Sequence, residues 1–172
     1  MSGPSVAEES RVRAALGADA GIYLDSSALA KLYVPEPESD ALESFLRGRR
    51  DLLISELAIT EVLSAVARRR REGMLTALQS LEIRDAILAD ADSGSFHRLD
   101  MSPVVHREAE RLLFHIESVA LRTPDALHVA VALLGSATHL ATYDARMRAA
   151  ALLAGLKTLD GLLPVQLTPP LA

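Results

Sequence analysis

Short apolar runs alternate along the chain with longer stretches in which apolar residues return every three or four positions. The first run, Gly21-Ile22-Tyr23-Leu24, reads as a strand and passes directly into Asp25, Ser26 and Ser27. "SSALAKLY" then has helical periodicity until Pro35 and Pro37 break it, and "SDALESFLRGR" is amphipathic to about Gly48. "DLLIS" predicts a second strand. From Ser55 to Arg71 the helical signals are strongest: Ser55 suits the N-cap, Glu56 the positive end, the arginines the negative end, and Gly73 stops the run. A helix from about Leu75 to Ala91 leads to a third strand within "FHRLDM". Ser102-Pro103 opens the next helix with a cap and a proline at the first helical position, and Thr123-Pro124 repeats that device before "DALHVAVALLG". The strand "THLATYD", a short helix from about Ala145 and a final strand in "GLKTLD" close the pattern. Strands separated by helices predict an α/β fold with a mostly parallel central sheet.

At 172 residues and 49% hydrophobic, the chain fits one domain with an ordinary core. The pattern divides it into an N-terminal extension over residues 1–20, a folded domain over 21–165 and a C-terminal tail over 166–172. It has no cysteine, which removes zinc–thiolate sites, redox motifs and cystine frameworks and agrees with a reducing compartment. The first residues, "MSGPSVAEES", carry an acidic pair and no apolar leader, and no apolar run approaches ~20 residues. A cytoplasmic protein with no membrane partner is expected. The net charge of −5 argues against coating nucleic acid by charge alone, and 3% aromatics with no Trp argues against stacking successive bases on rings.

Candidate chemistry gathers where strands end. Ligands of an open parallel sheet bind beyond the carboxyl ends of its strands, and Asp25 and Asp144 both stand there. The helix from Thr123 feeds the strand that ends at Asp144, so it runs antiparallel to that strand and starts at the same edge, bringing Asp125 in. The helix from Ser55 begins at this edge too. Glu61 lies ~9 Å along it at ~1.5 Å per residue, with a side chain that leans back toward the helix start. Four carboxylates on one rim repel one another unless a proton or cation enters. Mg²⁺ or Mn²⁺ suits such a site: both prefer oxygen ligands, keep several waters, and work with carboxylates and substrate phosphates. Ser26, Ser27 and Thr142 are placed to orient the carboxylates or the metal's waters.

Each of these residues also has a structural role open to it. Asp25 and Asp144 are turn formers, Asp125 complements a helix dipole, and the three hydroxyls suit turn capping. Glu61 is different, because Leu57, Ala58 and Ala65 put it on or beside an apolar stripe far from any cap. Arg68 to Arg71 suit either RNA phosphates or a solvated helix end, and their directions all around the helix axis favour the latter. His128, one turn from Asp125, reads as a packed or hydrogen-bonded histidine rather than a general base. The remaining histidines, His97, His106, His115 and His139, share no zinc-like spacing.

The pieces "YLDSSALAKLY", "SELAITEVLSAVARR", "TPDALHVAVAL" and "ATYDARM" occur in an order and at separations that resemble PIN-domain ribonucleases of the VapC toxin type. The resemblance covers residues 21 to 150. It implies a three-layer α/β/α domain, Mg²⁺- or Mn²⁺-dependent cleavage of an RNA substrate, homodimerisation, and inhibition by a cognate VapB-type antitoxin. The family's acidic quartet falls on Asp25, Glu61, Asp125 and Asp144, and its hydroxyl two before the last acid on Thr142. The first twenty residues have no counterpart in the family pattern. Deleting them is expected to leave the melting midpoint and RNA cleavage nearly unchanged, because they precede the first strand and carry none of the quartet. A large loss of melting temperature in the truncated protein would show that they pack on the domain.

Two other classes are open to a sheet with an acidic rim. One is a phosphotransfer enzyme, but an aspartyl phosphatase wants an acid where Ser27 stands, and a receiver domain wants an early acid pair and a late Lys in a setting that Lys157 lacks. The other is a non-catalytic PIN-like binding module, against which the complete quartet counts.

Overall fold

The computed structural model describes residues 21–159. The extension over 1–20, the tail over 166–172 and the last residues of the domain, 160–165, lie outside the described residues.

Five parallel strands form the centre: β1 (Ile22–Leu24), β2 (Leu52–Ser55), β3 (His97–Leu99), β4 (His139–Ala141) and β5 (Lys157–Thr158), in the order β3-β2-β1-β4-β5. Ile22 is in register with Leu52 on one side and with His139 on the other. Helices α1 (Ser26–Ala30), α2 (Ser39–Leu46), α3 (Glu56–Arg71) and α4 (Ala77–Asp92) form one outer layer, and α5 (Pro103–His115), α6 (Thr123–Leu134) and α7 (Ala145–Leu153) the other. The architecture is the expected three-layer α/β/α sandwich.

Side chains alternate across the sheet as the pleat requires. Ile22, Leu24, Leu52 and Ile54 enter the core beneath α1–α4, while Tyr23, Leu53 and Leu140 enter the core beneath α5–α7. Because both faces are covered, β1, β2 and β4 are buried throughout, which explains why they read as apolar runs rather than as alternation. Full burial of each such Leu or Ile side chain stabilises the fold by roughly 1.5–3 kcal/mol against exposure.

The helix boundaries follow the sequence signals with three differences. The first helix ends at Ala30, well short of Pro35, and turns fill the interval. Thr76 caps α4 through a reciprocal pair with Gln79, so that helix opens at Ala77. Helix α6 begins one residue earlier than expected: Arg122 is its N-cap, while Thr123 and Pro124 occupy its first turn. Pro124 leaves no orphaned donor there, and Asp125 at the third position accepts from the Arg122 N–H at 3.1 Å, doing the capping assigned to Thr123. Ser55 caps α3 as expected, and Gly73 ends that region with φ +76°. The chain order of the sheet reverses beside β1, since β2 and β3 lie to one side and β4 and β5 to the other. Open α/β sheets bind ligands at such a switch point. No helix among the described residues is long and apolar enough to cross a membrane.

Candidate active site

Asp25 follows β1 and Thr142 follows β4, so the two meet at the switch point. Thr142 Oγ1 donates to Asp25 Oδ2 at 2.6 Å. Ser27 Oγ donates to Asp25 Oδ1 at 2.7 Å and lies 3.0 Å from Oδ2, and the Ala28 N–H donates to Oδ1 at 2.8 Å. Asp25 thereby caps α1, although only 1% of its surface is exposed. Burial pushes its pKa above the ordinary value of 3.8, and the hydrogen bonds from Thr142, Ala28 and Ser27 offset part of that rise. Three protein hydrogens fill three of the carboxylate's roughly four acceptor positions. A buried acid so arranged is short of positive charge.

The other acids join Asp25 through single residues. The Asp144 N–H donates to Thr142 Oγ1 at 3.0 Å, and Asp144 Oδ1 caps α7 by accepting from the Arg146 and Met147 N–H groups. Arg146 Nε then stands 3.9 Å from Asp125 Oδ2. Ser26, beside Asp25, hydrogen-bonds to Glu61. Asp25, Asp144, Asp125 and Glu61 are thus linked around one rim, and each of Ser26, Ser27 and Thr142 touches a carboxylate. Behind the rim, Lys31 Nζ lies 4.4 Å above the Tyr143 ring and bonds Pro37 O at 2.6 Å and Glu38 Oε2 at 3.1 Å. The Tyr143 N–H bonds Ser27 Oγ at 2.8 Å. This clamp fixes Tyr143, and with it the spacing between Thr142 and Asp144.

A PIN-domain family model matches residues 22–153. The chain belongs to the PIN-domain family. It is 39% identical over 134 residues to ribonuclease VapC46 of Mycobacterium tuberculosis, covering 77% of this chain and 91% of that protein. Its fold resembles that of Mycobacterium tuberculosis VapC20, described as a sarcin-ricin loop cleaving toxin, with a TM-score of 0.62 and 15% identity over 76% of this chain and 95% of that one. It also resembles VapBC2 of Rickettsia felis bound to a promoter DNA fragment, with a TM-score of 0.61 and 15% identity over 80% and 96% of the two chains.

Within this PIN domain the acids are not drawn into a cage. Among the described residues, no three His, Asp or Glu side chains are grouped closely enough to hold a metal ion. Each carboxylate is turned toward protein donors, but Asp125 commits only Oδ2 and Asp144 only Oδ1 to partners among the described residues. All-oxygen donors with uncommitted atoms fit a hard ion held by one or two carboxylates and its own waters, and they do not fit a closed site.

Glu61 reaches the rim through a partner that sequence reasoning did not assign to it. Its Oε2 lies 2.8 Å from His128 Nε2, and this bond, more than the opposing burial and with help from Ser26, holds its pKa below the usual carboxylate range. His128 is fully buried and hydrogen-bonded, as its place on α6 suggests. Sequence reasoning also gave Tyr23 and Arg146 no role at the site and gave Ser55 only its cap. Tyr23 carried a signal, since a tyrosine inside an apolar strand needs a partner for its hydroxyl; Arg146 carried none beyond its place in "DARM". Asp100 follows the edge strand β3 and is exposed, two strands away from β1. Arg69 pairs with Glu36, whereas Arg68, Arg70 and Arg71 are solvated.

Proposed function

We propose that this PIN domain is a metal-dependent endoribonuclease, the toxin of a toxin–antitoxin pair, that hydrolyses RNA phosphodiester bonds at the rim formed by Asp25, Glu61, Asp125 and Asp144. The observation that carries the reading is the buried Asp25 carboxylate at the switch point, joined to the other three acids through Thr142, Arg146 and Ser26. Asp25 and Asp125 would be the direct ligands of Mg²⁺ or Mn²⁺, and Asp144 and Glu61 would complete the site through the ion or its waters. When bound, such an ion supplies an activated water and stabilises charge on the phosphodiester under attack. Thr142 and Ser27 hold Asp25 in one orientation. Glu61, ionised and half-buried, is positioned to accept the proton released as water attacks phosphorus and the P–O bond to the leaving oxygen breaks. A phosphatase reading fails at Ser27, whose hydroxyl is committed to Asp25 and the Tyr143 N–H where a second acid would stand.

The kinship with VapC46 and the likeness to VapBC2 support a VapB-type antitoxin as partner. A homodimer in the cytoplasm belongs to the same proposal, as the family resemblance implies. An antitoxin that silences an acidic rim needs a cation there. An Arg suits because its fork pairs with carboxylates through two hydrogen bonds. The function is tested by incubating the purified full chain with end-labelled RNA in Mg²⁺, in Mn²⁺ and in excess chelator. Internal cuts that need the metal are expected; equal cutting in chelator, or no cutting in any condition, overturns the reading.

A further inference from the structure

Behind Glu61 runs a chain of buried hydrogen bonds that starts and ends on the same helix. The Ala58 N–H, in the first turn of α3, donates to Ser55 Oγ at 3.2 Å. Ser55 Oγ lies 2.6 Å from the Tyr23 hydroxyl, which lies 2.7 Å from His128 Nδ1. His128 Nε2 then meets Glu61 Oε2 at 2.8 Å, back on α3. Tyr23, Ser55 and His128 are each 0% exposed, so water offers none of them an alternative partner. The chain passes from β2 through β1 to α6 and crosses to a helix on the other face of the sheet.

Only one direction satisfies every group with a neutral imidazole and an ionised Glu61. A carboxylate only accepts, so Nε2 carries the proton. Nδ1 is then an acceptor, and the Tyr23 hydroxyl is the only partner shown to donate to it. Its single proton being spent there, Tyr23 accepts from the Ser55 hydroxyl, whose oxygen is free to take the Ala58 N–H. Burial pushes the Tyr23 phenol up, so it remains a donor throughout the accessible pH range. The opposite direction leaves two lone pairs facing each other between Nε2 and the carboxylate.

We infer that Tyr23 and His128 are positioning residues for Glu61, fixing through the Ser55–Tyr23–His128 chain the orientation in which its carboxylate faces the rim. The inference rests on the reading of Glu61 as part of an RNA-cleaving site. His128 sits where no solvent or substrate reaches it, so it acts through Glu61. Tyr23 acts one bond further back, by holding the imidazole in the tautomer that donates to Glu61.

The test is a double-mutant cycle on the full chain with ring-nitrogen NMR of the metal-free protein beside it. Tyr23→Phe and His128→Asn are expected to lower kcat by about 10- to 100-fold while KM for RNA stays within about twofold, the scale of losing an outer partner of a site ligand. In a Glu61→Gln background the same changes are expected to cost less than about twofold in kcat, since the residue they act through is already altered. His128→Gln, whose amide N–H reaches toward the position of Nε2, is expected to recover more activity than His128→Asn. Full, additive losses in the Glu61→Gln background overturn the inference, as does a wild-type spectrum with the proton on Nδ1. Tyr23→Phe keeps the ring and the core volume, so the inference remains testable if His128→Asn fails to fold. The spectrum separates the two failures. A wild-type chain that cuts no RNA defeats the nuclease reading and the positioning role together, whereas a cutting enzyme with the wrong tautomer defeats the positioning role alone.

Discussion

Replacing Asp25 or Asp125 by Asn is expected to lower RNA cleavage by more than ~100-fold, beyond the loss typical of an outer-shell partner, because each change removes a charged oxygen from the site proposed to hold a divalent ion. Near wild-type cleavage by both purified variants would exclude the two as ligands. The variants should stay folded, and Asp25→Asn should do more. Asp25 is buried with its pKa raised, so its ionised form is disfavoured in the folded chain relative to the unfolded one. The stability tied to this group is therefore fully present below about pH 3.8, where both states are protonated, and is lost as pH rises through the raised value. Asn cannot ionise and escapes that loss. In chelator, the melting midpoint of Asp25→Asn minus that of the wild type should grow as pH rises from 3.5 toward neutrality, on the order of the shift expected from linkage. Glu61 has the opposite sign, with stability present above 4.5 and lost as pH falls through its lowered value, but both proteins share it and it cancels in the difference. A difference that stays flat or shrinks with pH would show that Asp25 is not a buried, charge-starved carboxylate.

The elements were readable because each carries its own local chemistry. "SELAITEVLSAVARRRR" begins with a cap and ends with arginines, and α3 spans those residues to within one position. The four acids were readable for a related reason: each lies at a strand end or on a helix that starts at the same edge, and in a parallel sheet that edge is common to all. Strand order was not readable. Nothing local to Ile22 or His139 states that they are neighbours, yet the β1–β4 pairing creates the switch point and brings Thr142 to Asp25. The start of α6 was misplaced by one residue because Thr-Pro is a good opening pair in isolation. Asp125 overrides it by reaching back to the Arg122 N–H, which draws Thr123 and Pro124 into the helix. The Glu61–His128 bond joins residues 67 positions apart in the chain, on opposite faces of the sheet. Hydrophobic periodicity placed each on its helix but carries no information about such a meeting.

Mg²⁺ or Mn²⁺ should raise the melting midpoint of the wild-type chain. At about ten times its dissociation constant a single ion that binds only the folded state stabilises it by roughly 1.4 kcal/mol, or about 3–6 °C for a domain of this size. The response should vanish in an Asp125→Asn, Asp144→Asn double variant, which loses the two carboxylates that keep an uncommitted oxygen at the rim. Arg146 sets the size of the effect. Its guanidinium already stands 3.9 Å from Asp125 Oδ2 and compensates part of the acid charge, so an incoming ion meets a resident cation. Removing that cation by Arg146→Gln should shift the metal titration to lower concentration by about threefold or more, since one like charge at partly screened range is worth on the order of 0.7 kcal/mol or above. Potassium chloride at matched ionic strength controls for screening, which acts on all charged groups alike. A metal response equal in the wild type and the double variant would place the ion elsewhere. A response that weakens on removing Arg146 would mean that the arginine orients Asp125 for the ion instead of competing with it.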